Sequence, residues 1–250
     1  MRNRFKIICA LLAVATIGYA SPVVFETSRA ETLENFLFSG LLTLAEKGDS
    51  EAQYHVGMMY NNGIGTSADP AKAFVWFEKA TKAGHPLGAY KLGCYYDGQF
   101  AGTVQIDHAL GLKYKLIAAE QGYDHAQSDV ARHYYGSKNY TEAVRWWTAA
   151  AKQGETDAMH YLGEAYAQGE IVQTDLQLSY RYLDALKHLP EFSSDQWVTN
   201  ALASVTKMMS ADEVAAAKSA TAFVIEPTAL TLKAREGISE AKNYLAESMR

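Results

Sequence analysis

The chain has 250 residues, of which 48% are hydrophobic and 20% are charged, and this is enough to bury a sizeable core. Its formal net charge of −5 argues against nucleic acid as a partner, because phosphate binding requires a basic surface. Two cysteines are too few for a small domain stapled by disulfides. The composition therefore predicts an ordinary folded domain.

The first twenty residues have the pattern of a secretory signal peptide. A basic segment, 1–6, precedes an apolar stretch, 7–17, and small residues stand at Gly18 and Ala20, the −3 and −1 positions of a signal-peptidase site. An uncleaved membrane anchor is the alternative, but the stretch is short for a span of ~20 residues. We therefore expect 1–20 to be removed, which leaves no stable membrane span.

Cleavage would also remove Cys9 and leave Cys94 as the only thiol of the mature chain. An intramolecular disulfide is then impossible. A partly buried, inert thiol is the simpler expectation for Cys94, and a reactive thiol is the alternative.

A repeat becomes visible after residue 48. Four segments share a small residue, an aliphatic residue four positions later, a small residue at +5 and a tyrosine at +8, and these offsets lie on one stripe of a helix. The segments are 51–60, 87–96, 125–134 and 157–166.

A second helix follows each of these segments, in the ranges 69–84, 107–122, 139–154 and 175–190. The first three contain the pattern small-x-x-aromatic-x-x-x-small, in which small residues allow two helices to approach closely. Residues with N-cap chemistry begin three of these helices, and glycines with C-cap chemistry end three. The N-cap candidates are Asp69, Asn139 and Asp175, and the glycines are Gly84, Gly122 and Gly154.

This pattern resembles the Sel1-like repeat family, a relative of the tetratricopeptide repeats, over about 49–190. The resemblance implies an all-α, right-handed superhelix of four hairpins, 49–85, 86–123, 124–155 and 156–190. The residues that match the family pattern are packing residues. They are Gly57, Tyr60, Trp76, Gly84, Gly93, Tyr96, Tyr134, Trp146, Gly154, Gly163 and Tyr166.

The flanking segments read as atypical ends of the repeat array. Residues 21–48 resemble a degenerate half repeat, and 191–250 is predicted to be a helical C-terminal cap, with a capping box at 210–213. A separate binding tail is the alternative for 191–250.

Positions that do not recur between repeats are the candidates for binding. One face of each first helix carries side chains that packing does not require, and first helices usually line the concave, binding surface of such solenoids. Tyrosine, methionine and arginine are also enriched at interfaces. The predicted contact residues are Tyr54, Met58, Tyr90, Arg132, Tyr135, His160 and Glu164.

No catalytic motif, metal-ligand spacing or cofactor motif is present, so we predict a protein without catalytic activity, metal or cofactor. The resemblance implies a periplasmic adaptor or inhibitor that binds a protein partner. It leaves open an immunity protein against a phospholipase-type effector toxin, a negative regulator of a sensor kinase, and an envelope assembly component. An enzyme acting on β-lactams ranks lower, because this chain lacks the cysteine pairs of the members linked to those drugs.

Overall fold

The computed structural model describes residues 22–220 and 225–249, with side chains placed from Leu33 onwards. The predicted signal peptide, 1–20, lies outside these residues. Within the described part every regular element is helical, and the chain forms an all-α repeat solenoid, as predicted. No helix in this part combines the length and apolar character that crossing a membrane requires.

A long helix, α1 (Pro22–Glu46), precedes four helical hairpins. The hairpins are α2 (Ser50–Asn62) with α3 (Pro70–Lys82), α4 (Pro86–Tyr96) with α5 (His108–Glu120), α6 (Asp124–Gly136) with α7 (Tyr140–Lys152), and α8 (Thr156–Gln168) with α9 (Leu176–Lys187). After a short 3-10 turn the chain continues through α10 (Gln196–Met208), α11 (Ala211–Ser219), α12 (Ala229–Glu236) and α13 (Ile238–Ser248).

The predicted caps fix where the second helices begin and end. Asp69, Asn139 and Asp175 each accept a hydrogen bond from the backbone N–H three residues later. Gly84 and Gly154 adopt φ values of +87° and +86° just beyond the ends of α3 and α7, a conformation that glycine reaches without strain. The cap chemistry in the sequence therefore sets the hairpin boundaries.

In the first, second and fourth hairpins the two helices meet at a glycine, and the third has the buried Ala131 at this position. A Cβ atom on Gly57 would lie 2.6 Å from the ring of Phe77, and one on Gly93 would lie 2.9 Å from the carbonyl oxygen of Gly111. Gly163 packs in the same way against the Leu183 side chain. The small residues of the repeat are therefore contact points between helices.

The aromatic residues of the repeat fill the space between hairpins. Trp76 and Trp146 are 9% and 6% exposed, which agrees with their prediction as packing residues. The most deeply buried rings, however, are the neighbouring Phe77, Tyr95 and Trp147. Two adjacent rings are thus buried at 76–77 and at 146–147, where the repeat pattern identifies one, whereas Tyr96 beside Tyr95 is partly exposed.

The segment after the fourth hairpin has two different positions. Helices α10 and α11 pack on α9 and cap the end of the array, and the predicted capping box joins Ser210 to Glu213. Residues 225–248, which we call the strap, instead return toward the start of the chain, where Leu245 contacts Gly40 of α1. The prediction that all of 191–250 is a terminal cap therefore needs correction for the strap. The family pattern ends before it and holds no information about its docking.

We expect Gly57→Ala to destabilise the protein by about 1–3 kcal/mol, because the new methyl group would collide with the buried Phe77 ring. Gly136→Ala is the matched control. Gly136 is also helical, but a methyl group there meets no atom within 4 Å, so the lower entropy of the unfolded chain should stabilise it by up to about 1 kcal/mol. Denaturant melts of both variants check the pair, and equal effects would contradict this account of the helix contact.

Candidate functional site

The seven predicted contact residues lie on the first helices of the hairpins, α2, α4, α6 and α8. The structure divides them into two groups. Those on α2 and α4 are covered by other parts of the chain, and those on α6 and α8 lie on a part of the surface that remains open.

Tyr54 is part of the core. Its side chain is 9% exposed, and its ring stacks on His85 with 4.7 Å between the ring centroids. The prediction that Tyr54 offers its ring to a partner therefore does not agree with its burial. The cause is the turn residue His85, whose imidazole folds back over the ring and which no repeat pattern specifies.

Met58 and Tyr90 are only partly accessible. Met58 lines a small cavity of about 110 Å³ between α2 and the strap, opposite Ala234 and Ile238. The ring of Tyr90 makes an edge-to-face contact with Tyr123, at 4.9 Å between centroids. These residues face other parts of the same chain.

Arg132, Tyr135, His160 and Glu164 form the exposed group. Tyr135 is 46% exposed, and the His160 and Glu164 side chains are 39% and 41% exposed. Arg132 pairs with Asp129, which also contacts Lys115 at 2.6 Å. The open part of the predicted face therefore lies on the third and fourth hairpins.

A groove of about 610 Å³ adjoins this exposed group. It lies between α8 and α10, and Leu183 of α9 forms part of its lining. Trp197 stands at one end of α10 and Met208 at the other, about 16 Å apart along the helix axis. Their side chains are 37% and 57% exposed, so the groove presents apolar surface to solvent.

A ladder of rings joins the third hairpin to this groove. Tyr135 contacts Trp147 at 5.6 Å, Trp147 stacks on Tyr161 at 4.8 Å, and His160 stacks on Tyr161. The ladder ends at Trp197, whose ring centroid lies 3.8 Å from the centroid of the His160 imidazole. Ring contacts of this kind hold the exposed side chains in fixed orientations.

The charge of the groove is negative. Among the described residues that line it, two are acidic and none is basic, and the acids are Glu164 and Glu170. An apolar floor with an acidic rim is suited to a segment that carries both apolar and cationic side chains.

Cys94 lies beside Tyr90 on α4 and is partly buried. Burial raises the pKa of its thiol, with the nearby Asp129 acting in the same direction against Lys115. The thiolate is thereby disfavoured, which agrees with the expectation of an unreactive cysteine.

A buried polar cluster lies where the strap meets the first hairpin. Oε2 of Glu51 lies 3.2 Å from Nε2 of His85 and 2.6 Å from Nζ of Lys233, and Oε1 lies 3.1 Å from Nε2 of His55. Burial alone would raise the pKa of Glu51, but the two imidazoles and the ammonium group lower it far below its ordinary value. The positive charge beside Glu51 is the ammonium group of Lys233. In the described ranges no group of three or more histidine, cysteine, aspartate or glutamate residues is arranged to hold a metal ion.

Sequence reasoning does not identify several of these residues. Trp197 lies outside the repeats, and the strap residues contact partners that are far away in the sequence. Two glutamines of the first helices could have been identified from the sequence, because Gln53 and Gln127 both follow the small residue of the repeat. In the structure each donates a hydrogen bond to the carbonyl oxygen of the residue eight positions earlier.

The lowered pKa of Glu51 predicts how the stability of the folded protein depends on pH in the acid range. A carboxylate whose folded pKa is below its unfolded value of 4.5 contributes stability above pH 4.5, and that contribution is lost as the pH falls further. We expect Glu51→Gln to lower the melting temperature most above pH 4.5, with the difference from wild type shrinking below it. The exposed Glu247→Gln is the control and should show no such trend. If the melting temperature of Glu51→Gln lay below that of the wild type by the same amount from pH 7 to pH 3, the lowered pKa of Glu51 would be contradicted.

Comparison with known proteins gives the family. The family described as Sel1 repeat matches residues 50–85, 86–123, 124–155 and 156–185. A sel1-like repeat-containing protein of Acanthamoeba polyphaga mimivirus is 29% identical over 134 residues, which are 53% of this chain and 24% of the relative. An uncharacterised protein of Neisseria meningitidis serogroup B is 27% identical over 143 residues, which are 57% of this chain and 30% of the relative. The chain thus spans less than a third of the length of either relative.

A solved structure supports the fold. The Sel1 repeat protein of Oxalobacter formigenes superposes with a TM-score of 0.58 at 21% identity, over 79% of this chain and 88% of that protein. At this identity the likeness concerns the fold alone. Because the four family matches cover more than half of its residues, the chain belongs to the Sel1 repeat family.

Proposed function

We propose that this protein is an exported, non-catalytic binding protein that holds a segment of a partner protein in the groove between α8 and α10. The Sel1 repeat fold is a protein-interaction fold. The observation that carries the proposal is the exposed apolar surface of Trp197 and Met208, next to Tyr135, His160 and Glu164.

The shape and chemistry of the groove suit a peptide segment. Its length of about 16 Å along α10 accommodates roughly five extended residues or three helical turns. Trp197 is the type of residue that dominates binding energy at interfaces, and its contact with His160 orders it before a partner arrives. The acidic rim selects a segment with lysine or arginine beside its apolar residues.

The partner's identity distinguishes the roles that this family suggests. An adaptor, an inhibitor of a secreted toxin, a regulator of a sensor kinase and an envelope assembly component would all use such a groove, but each would hold a different protein.

Photocrosslinking in cells tests the groove directly. With p-benzoylphenylalanine at Tyr135 or Met208, we expect one dominant adduct, which mass spectrometry identifies. The same amino acid at Ile106, which is 53% exposed on another part of the surface, is the matched control and should not give that adduct. Glu164→Lys should weaken the adduct, and Trp197→Ala should cost at least about 2 kcal/mol of binding to the purified partner. No adduct at Tyr135 or Met208, or the same adducts from Ile106, would count against the proposal.

Export has a separate test. We expect the mature protein isolated from the periplasmic fraction to begin at Ser21, because the signal-peptidase pattern ends at Ala20. Mass spectrometry of the intact protein measures this. A chain that begins at Met1 and sediments with membranes would contradict export and release.

A further inference from the structure

The strap crosses the turns that connect one hairpin to the next. Its first residues lie against Gly154, its middle against Gly122 and Asp124, and its end against Asp49 and α1. It therefore runs along the array in the direction opposite to the repeats.

Two threonines of the strap bind Gly122 and Gln153, which lie in the turns before and after the third hairpin. The Thr228 hydroxyl donates to the carbonyl oxygen of Gly122 at 2.8 Å, and the Thr231 hydroxyl donates to Oε1 of Gln153 at 2.8 Å. The backbone N–H of Thr228 also donates to Oε1 of Gln153, at 2.9 Å, and the N–H of Asp124 donates to the Thr231 hydroxyl. Each of these contacts requires a particular hydroxyl or amide group.

Two cations of the strap neutralise buried acids. Arg235 donates to Oδ2 of Asp124 at 2.6 Å and to the carbonyl oxygen of Gln153 at 3.1 Å. Lys233 contacts Glu51 at 2.6 Å. The Asp124 side chain is 1% exposed and that of Glu51 is 14% exposed, so water screens these charges little. The lysine or arginine that pairs with each acid belongs to the strap.

The helix that makes these contacts has one fully buried residue, Thr231. Leu230 and Ala234 pack against the edge of the core while partly exposed, and Leu232 is 50% exposed. With eight residues, α12 is too short to be stable as an isolated helix in water, so it is ordered by the surface on which it lies. In these respects α12 resembles a docked peptide more than a layer of the solenoid, whereas Ala241 and Leu245 of α13 are buried against α1.

We propose that the surface formed by Glu51, Gly122, Asp124 and Gln153, which we call the ridge, is a helix-binding site and that the strap is its intramolecular ligand. The site recognises a helix with threonine at its N-cap and third positions, and with cationic residues at its fifth and seventh positions. A partner helix of this chemistry competes with the strap for the ridge. The ridge shares no residue with the groove, so this inference does not depend on the function proposed above.

A labelled peptide with the sequence of residues 225–248 tests the site. The strap is weakened in the full chain by the double variant Lys233→Glu/Arg235→Glu. Lys218→Glu/Lys242→Glu is the matched control, because it reverses two exposed lysines that lie outside these contacts. Fluorescence anisotropy measures binding of the peptide to each chain.

We expect the peptide to bind the strap-weakened chain with one-to-one stoichiometry. Its affinity for the wild-type and control chains should be at least about tenfold lower, because the tethered strap competes at a high effective concentration. A peptide that itself carries Arg235→Glu should bind the strap-weakened chain at least about tenfold more weakly, because it would place a carboxylate against Asp124. Photocrosslinking at Tyr135 should be unchanged in the strap-weakened chain, which separates this test from that of the groove.

Three results would overturn the proposal. One is the absence of peptide binding to a strap-weakened chain whose circular dichroism is that of the wild type. Another is failure of that chain to fold while the control folds, since the strap would then be an integral part of the core. The third comes from hydrogen exchange of the wild-type protein: we expect the amides of α12 to exchange at least about tenfold faster than those of α4–α7, and equal rates would show that the strap does not open separately.

Discussion

The close approach of two helices in each hairpin is the constraint on which the rest of the structure depends. At Gly57 and Gly163 the facing side chain occupies the space of a missing Cβ atom. This contact uses one stripe of each first helix for packing within the hairpin. The aromatic residues of the second helices then fill the gap to the next hairpin. What remains of each first helix is a face that packing does not determine, and on α8 this face forms one side of the groove.

The two halves of that face have different neighbours. On α2 and α4 the neighbouring residues come from the strap and the turns, and Tyr54 is buried under His85. On α6 and α8 the neighbour is α10, which stands far enough away to leave a groove. A regular repeat would give equivalent surfaces along its length. The difference arises from the strap and α10, which lie outside the repeats, and from the turn residues His85 and Tyr123, which differ between repeats.

The sequence predicts the periodic part of the molecule well. Helix boundaries follow from Asp69, Asn139 and Asp175, whose cap contacts are local and have the same form in every hairpin. The strap could not be predicted in this way. Its contacts join residues as far apart as Lys233 and Glu51, and a contact that occurs once leaves no period in the sequence.

The candidate site shows the same limit. Tyr135, His160 and Glu164 were identified because they differ from their counterparts in the other repeats, and the structure brings them to one open surface. Trp197 has no counterpart, so no comparison between repeats could mark it. Tyr54 lies on the predicted helix face, but it is buried in the core, where its ring contacts Phe77 and the turn residue His85. Positions that differ between repeats thus identify the non-packing face of the first helices. Which part of that face is exposed to solvent depends on how the other segments pack, and this is seen only in the structure.

The ridge and the exposed group beside the groove share one helix, α6. Asp124 begins α6 and Tyr135 stands near its end, about 16 Å away along the helix axis. A helix packed into a continuous core transmits a change only if it has two discrete arrangements, and α6 is fixed on both sides by the buried residues Ala126, Val130 and Ala131. Sites this far apart that share no contacts contribute independently to the free energy. The fold therefore favours a scaffold whose two surfaces are occupied separately, so that release of the strap changes what the ridge can hold and leaves the groove as it is.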